Sequence, residues 1–223
     1  MLAIAGGKGG CGKTTTTLGL AAAMDAETRV VDADRDMPNL HALAGVPRDA
    51  TERTAADGRV PSDPADERTP PYRHPEYNHV SVSPAPPRRD ARADGGCDDP
   101  SARLRRIRAE TDAAVLVDCP AGAGPDAAAP LRVCDGAVVV SSLCAPSLRD
   151  AAKTASMART LGTPVVGAVL TRARVAPPGV SDLLGCPVLG RVPEAEPPVL
   201  EDASVRRAYE NVATEIQAAE GII

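Results

Sequence analysis

The chain has 223 residues, a length that suits one domain with a sizeable core and leaves two full domains little room. Its formal net charge is −5 and its pI about 5.3, so the chain as a whole is excluded from the generic polyanion binders. Hydrophobic residues make up 43%, but Phe and Trp are absent, so the core has to be assembled from Ala, Val, Leu and Ile. The first predicted element is a strand over the apolar run Leu2-Ala3-Ile4-Ala5. It leads straight into Gly6 to Thr17, where Gly7-x-x-x-x-Gly12-Lys13-Thr14 fits the phosphate-loop pattern G-x-x-x-x-G-K-S/T. Glycines let successive backbone N–H groups turn inward around phosphate oxygens, where a Cβ would obstruct them. A helix starting near Lys13 adds its positive N-terminal end. Lys13 reaches the β- and γ-phosphates, and the Thr14 hydroxyl suits Mg²⁺.

Lys8 makes this stretch more specific, giving Lys8-Gly9-Gly10-Cys11-Gly12-Lys13-Thr14-Thr15. The chain has only three lysines, Lys8, Lys13 and Lys153, so two in one loop argue for use. The stretch resembles the deviant Walker A motif of the MinD/ParA family of ATPases, with Gly7, Lys8, Gly9, Gly10, Cys11, Gly12, Lys13, Thr14 and Thr15 in the nucleotide-binding positions. In that family the extra lysine crosses a nucleotide-sandwich dimer and touches the partner's ATP. The resemblance therefore gives Lys8 the role of an arginine finger acting on the second copy.

The helix is expected to run to about Ala26. A short strand over Thr28-Arg29-Val30-Val31 then ends in Asp32-Ala33-Asp34, at the sheet rim where ligands bind in α/β folds. Residues 32–40 resemble the family's switch I pattern, D-x-D-x-x-x-x-N-L. The resemblance implies that Asp34 positions or activates the attacking water and that Asp32 supports the Mg²⁺ shell.

Residues 45–110 are expected to form a variable insert rich in Pro, Asp and Arg. Within it, 46–73 reads as surface loop or partly disordered insert, His79 to Ser83 as a strand and Ser101 to Glu110 as a helix. That helix should turn Leu104 and Ile107 inward and keep Arg103, Arg105, Arg106 and Arg108 outside. Such an arginine run is more often a solvated face than a nucleic-acid contact, and non-specific DNA binding is at most weak and salt-dependent. His74 and His79 have no second ligand pattern near them.

Order returns with Ala113-Ala114-Val115-Leu116-Val117-Asp118, an apolar run ending in a carboxylate, as a buried parallel strand does. It resembles Walker B, which implies that Asp118 holds Mg²⁺ through a water. Asp118-Cys119-Pro120-Ala121-Gly122 matches the family's D-T/C-P-A-G switch II turn, which places the Gly122 N–H to sense the γ-phosphate. Gly136 to Ser141 is another buried strand. The helix beginning at Pro146 takes Ser147 as N-cap, with Asp150 at its third position. It resembles the P-x-x-S-L-R-D-A-x-K-T stretch of MinD more than its counterpart in plasmid ParA. The strand from Pro164 to Leu170 ends in Thr171-Arg172 where the family usually has Asn-Arg, the Asn reading adenine. Thr lacks a bidentate amide, so adenine selectivity is open. Val188 to Val192 leads to Pro193-Glu194, which resembles the family's base-flanking turn. The last helix, from about Ala203 to Glu220, sets Val205, Tyr209, Val212 and Ile216 on one face.

The fold expected is a single α/β P-loop NTPase domain over residues 1–223, a mostly parallel sheet with helices on both faces. The resemblance implies a Mg²⁺-dependent ATPase that binds ATP, forms an ATP-dependent homodimer, and positions or partitions a cargo through an activating or cargo protein. The alternative is an ATP-driven metal or iron–sulfur carrier, with Cys97 and Cys134 as the pair to compare with the nitrogenase iron protein. The six cysteines contain no C-x-x-C pair and read as small, mostly buried thiols. No apolar run approaches the roughly 18 residues of a membrane span. With no basic, aromatic amphipathic end and no room for a signal peptide, the expected location is cytoplasmic, without a direct membrane anchor.

Overall fold

The structure, a computed structural model, describes residues 1–48, 71–86 and 99–219. At its centre lies β1 (Leu2–Gly6), whose Leu2 and Ile4 join one core cluster while Ala3 and Ala5 join another. Side chains alternate along a strand, and this one is covered on both faces. The other strands are β2 (Thr28–Asp32), β3 (Tyr72–Arg73), β4 (Val80–Ser83), β5 (Ala114–Ala121), β6 (Gly136–Ser142), β7 (Val165–Thr171) and β8 (Val188–Val192). Among the described residues they form one sheet in the order β3-β4-β2-β5-β1-β6-β7-β8. Every neighbouring pair is parallel except β3 with β4.

The helices are α1 (Lys13–Ala23), α2 (Leu40–Leu43), α3 (Pro100–Glu110), α4 (Pro125–Leu131), α5 (Ala145–Thr160), α6 (Val180–Leu184) and α7 (Ala203–Ala218). α1 and α7 cover one face of the sheet, over Leu2, Ile4, Val30 and Leu116. α3, α4 and α5 cover the other, over Ala3, Ala5, Val117 and Ala137. The expected single α/β domain with helices on both faces is the fold observed. Without Phe or Trp, Tyr209 is the bulkiest fully buried side chain. Its ring lies so close over Gly19 of α1 that a Cβ there would sit 2.3 Å from a ring carbon. The Tyr209 hydroxyl finds Thr16 Oγ1 at 3.3 Å, which gives its polar end a buried partner.

The chain leaves β1 for β2 on one side, while β6, β7 and β8 extend the sheet on the other. Loops from the C-terminal ends of the central strands therefore meet over one crevice, the usual ligand position in an open α/β sheet.

Several local expectations need correction. Arg103 is not on the outer face of α3 but buried. Its guanidinium donates to the carbonyls of Asp32 (2.8 Å), Ser83 (3.3 Å) and Pro84 (2.7 Å), at the ends of β2 and β4. Five fixed N–H donors can serve several strand-end carbonyls at once, and that draws this arginine inward. Its three neighbours are outside as expected, and each is ion-paired: Arg105 with Asp99, Arg106 with Glu110, Arg108 with Asp135. Ser147 is not a cap either. α5 starts earlier, with Cys144 at the cap and Pro146 within its first two positions, where proline fits. Ser147 is turned inward, its Oγ accepting the Ser142 N–H at 3.2 Å, and Asp150 pairs instead with Lys153 at 3.2 Å.

β3 falls within the stretch read as loop, and α2, α4 and α6 have no periodicity long enough to announce them. α1 stops at Ala23 rather than about Ala26, and α7 is described to Ala218. Of the cysteines, Cys11, Cys119, Cys134 and Cys186 are buried as expected, while Cys144 is exposed. Cys97 lies outside the described residues. Among these residues no helix is long and apolar enough to cross a membrane.

Candidate functional site

The phosphate loop bridges β1 and α1. Gly12, immediately before the helix, has φ 94° and ψ 21°, a left-handed conformation that only glycine adopts without strain. The Thr171 methyl lies 3.1 Å from where a Cβ would project, so a side chain here would also crowd Thr171, but it is the backbone conformation that demands glycine. The first turn of α1 carries no acidic side chain, which leaves its N–H groups and dipole to an anion. Lys13 is buried in this loop, its Nζ donating to the Lys8 carbonyl at 3.4 Å. Lys8 itself is exposed at the loop tip. The Cys11 thiol is buried beneath the loop, and its carbonyl accepts the Thr171 hydroxyl proton at 2.7 Å.

Two carboxylates approach the loop from neighbouring strands: Asp32 ends β2, whereas Asp118 lies within β5, which continues through the expected switch II turn as far as Ala121. Asp32 of β2 and Asp118 of β5 are register partners on neighbouring parallel strands, and both are buried. Burial is the leading cause that raises Asp32 to about 6. The N–H groups of Asp34 and Leu40, donating at 2.9 and 3.3 Å, oppose it. Asp118 is raised to about 7, again by burial first, with the charges of Asp32 and Asp34 adding to it. Thr14 and Lys13 act in the other direction. The Thr14 hydroxyl lies 2.6 Å from Asp118 Oδ2 and 2.9 Å from Asn39 Oδ1. With one proton it donates to one acceptor at a time. Asp118 Oδ1 is buried with no hydrogen-bond partner.

An orphaned carboxylate oxygen beside a hydroxyl and a second carboxylate is an all-oxygen set that fits a hard divalent cation. Among the described residues no group of three or more His, Cys, Asp and Glu side chains could hold an ion by itself. The remaining ligands would then come from water and phosphate, as Mg²⁺ prefers. Asp34 accepts the N–H groups of Asp36 (3.1 Å) and Met37 (2.9 Å), which fixes the turn after β2.

These elements enclose a groove of about 620 Å³ whose walls include Gly9, Gly10, Gly12, Lys13, Thr14, Thr15, Asp34, Asp118 and Arg172. A smaller cavity of about 210 Å³ adjoins it through Gly12, Thr15 and Arg172, and is lined further by Thr171, Pro193 and Glu194. Arg172 has φ 51°, a left-handed conformation costing on the order of 1 kcal/mol in a non-glycine residue, and its guanidinium donates to the Gly10 carbonyl at 2.9 Å. The fold thus brings most of the residues singled out in the sequence to one crevice. Gly7, Lys8, Cys11, Asp32 and Gly122 lie outside the walls of these two cavities.

Two residues were missed. Asn39 belongs to the switch I pattern, and its spacing from Asp34 is the sequence signal for its contact with Thr14. Tyr209 lines the smaller cavity from α7, and the sequence shows it only as one inward position of a helix. Of the cysteines weighed for a metal or cluster, Cys134 is buried in the core, where loss of water pushes its thiol up to about 12.

A family model for the CobQ/CobB/MinD/ParA nucleotide binding domain matches residues 2–200. The chain belongs to this family. An uncharacterized ATP-binding protein of Methanocaldococcus jannaschii is 30% identical over 218 residues, 93% of this chain and 76% of that protein. The cell division ATPase MinD of Pyrococcus furiosus has the same fold, with a TM-score of 0.78 and 25% identity over 98% of both chains. The septum site-determining protein MinD of Pyrococcus horikoshii, solved with Mg-ADP, gives a TM-score of 0.75 at 23% identity, over 97% of this chain and 95% of that one. This chain is therefore a MinD-like member of a nucleotide-binding family, with that family's phosphate loop at its centre.

Proposed function

We propose that this protein is a Mg²⁺-dependent ATPase that works as a molecular switch: ATP brings two copies face to face, and slow hydrolysis releases them. The observation that carries this reading is the pairing of a buried lysine, Lys13, with an exposed one, Lys8, in a single phosphate loop. Lys13 is placed to serve the phosphates of its own groove. Lys8, at the loop tip, is free to reach those of a second copy. Thr14 and Asp118 would hold Mg²⁺, with Asp32 behind them holding the turn that carries Asp34. An ion held there would supply positive charge to offset that developing on the phosphates.

Asp34 orients the attacking water, and the Gly122 N–H reports the γ-phosphate to the segment after β5. Loop N–H groups and the α1 dipole hold the phosphates, while Thr171, Arg172, Pro193 and Glu194 surround the base. Because the two nucleotide states present different surfaces, a partner protein can read them, and such a cycle suits the positioning or partitioning of a cellular cargo. An Aquifex aeolicus MinD of the same fold, solved in complex with MinC, supports partner reading of this kind.

Light scattering on Asp34→Ala protein in ATP–Mg²⁺ and in ADP–Mg²⁺ tests the reading. A dimer in ATP alone, abolished by adding Lys8→Ala, is expected. A monomer in both nucleotides would sink the sandwich-dimer mechanism.

A further inference from the structure

We infer that the base cavity accepts guanine about as readily as adenine, so that GTP is a ligand of this site alongside ATP. The inference rests on the nucleotide site proposed above and concerns only its selectivity. The cavity is bounded by Thr171 and Arg172 at the end of β7, by Val192, Pro193 and Glu194 at the end of β8, and by Tyr209 of α7. Pro193, Ala195 and Val199, half-buried in this lining, offer area to any purine without reading its edge, while Val192 and the Tyr209 ring are themselves almost fully buried.

Five polar side chains line the cavity; that of Thr15 lies at the end shared with the phosphate groove, and its hydroxyl can donate or accept, so it favours neither base. Thr171 donates its single proton to the Cys11 carbonyl at 2.7 Å, so only its acceptor capacity is left. The Tyr209 hydroxyl is engaged with Thr16 at 3.3 Å. Arg172 uses one N–H on the Gly10 carbonyl and keeps further donors. Glu194 is exposed and, as a carboxylate, only accepts. Among the described residues no side-chain amide, with donor and acceptor side by side, lines this cavity.

Each base finds a partner in that set. Adenine can donate from N6 to Glu194 and accept from Arg172 at a ring nitrogen. Guanine can donate from N1 and N2 to the same carboxylate and accept from the same guanidinium at O6 or N7. Rejection by factors of about 10⁴ to 10⁵ arises when the wrong ligand leaves a buried polar group of the site unpaired. Here the reading groups sit at a solvent-facing lip, or are already satisfied by the protein, so neither base imposes that penalty. Apolar contact with two purines of nearly equal area separates them by about tenfold at most.

The test is calorimetric titration of the full chain with Mg²⁺ and the non-hydrolysable triphosphate analogues of ATP and GTP, repeated on Lys13→Ala. Dissociation constants within tenfold of each other, both lost in Lys13→Ala, are expected. A preference above tenfold for either base overturns the inference while leaving the nucleotide site intact. So does GTP-analogue binding that survives Lys13→Ala, because that ligand would then sit elsewhere. Failure of both analogues to bind the unaltered chain overturns the proposed function as well.

Discussion

Asp32 and Asp118 stand in register on neighbouring parallel strands, so the folded chain holds two carboxylates together with little water around either. Burial raises both, and for Asp118 the nearby acids add to it, reaching about 7 against an ordinary 3.8. A carboxylate raised on folding takes up a proton as the chain folds, so its cost is absent below the unfolded value and fully present above the folded one. For Asp118 that cost is on the order of a few kcal/mol at pH 8. Asp118→Asn keeps an oxygen for Thr14 and removes the charge. It should raise the Tm of the ligand-free protein by several degrees at pH 8, with a gain that fades as pH falls from about 7 toward 4. Thermal unfolding across that range checks it, and an unchanged or lower Tm at pH 8 would contradict it. That Asp32 closes its strand was legible in the chain, but β5 runs on past Asp118, to Ala121. The register of the two acids was not legible, because pairing between strands about 85 residues apart is settled by sheet order.

At the scale of elements, α3 shows where patterning stops being informative. Leu104 and Ile107 face inward as their spacing requires, yet Arg103 shares that buried side and ties the helix to the ends of β2 and β4. An arginine beside an apolar stripe reads as surface until the carbonyls it serves are in place. Removing it leaves three backbone acceptors without this donor, at the C-terminal rim that carries Asp32. Arg103→Met should therefore destabilise the protein by on the order of 3 kcal/mol, and Arg103→Lys by less. Arg105→Met, at an exposed pair, should change stability far less. Urea unfolding of the three variants measures the ordering; equal losses for Arg103→Met and Arg105→Met would remove the structural role of Arg103. Gly19 is a parallel case on the other face. In sequence it is a weak point in a helix, and only the Tyr209 ring of α7 explains its lack of a side chain.

For the whole molecule, the site is built at a cost that ligands can offset. A buried acid pair, an orphaned oxygen on Asp118 and a left-handed Arg172 all gather where the loops from β1, β2, β5 and β7 converge. A ligand that binds only the folded chain stabilises it by mass action, about 2.7 kcal/mol at a hundredfold excess over its Kd. ATP with Mg²⁺ should raise Tm clearly, and chelating the metal should remove a large part of that rise. In Asp118→Asn the dependence on the metal should shrink. A rise indifferent to chelator in the unaltered protein would count against Thr14 and Asp118 as metal ligands.

The phosphate loop, the apolar strands that carry Asp32 and Asp118, and the amphipathic faces of α3 and α7 were all legible in the chain, because each is a local pattern with its own period or turn chemistry. From those the parallel α/β class followed. Long-range packing settled that Asp32 and Asp118 are partners, that Arg103 is buried, that Asn39 meets Thr14, and that Thr171 donates to the loop. Each of these depends on which strand lies beside which, and that is set by packing across the whole sheet rather than by any stretch of neighbouring residues.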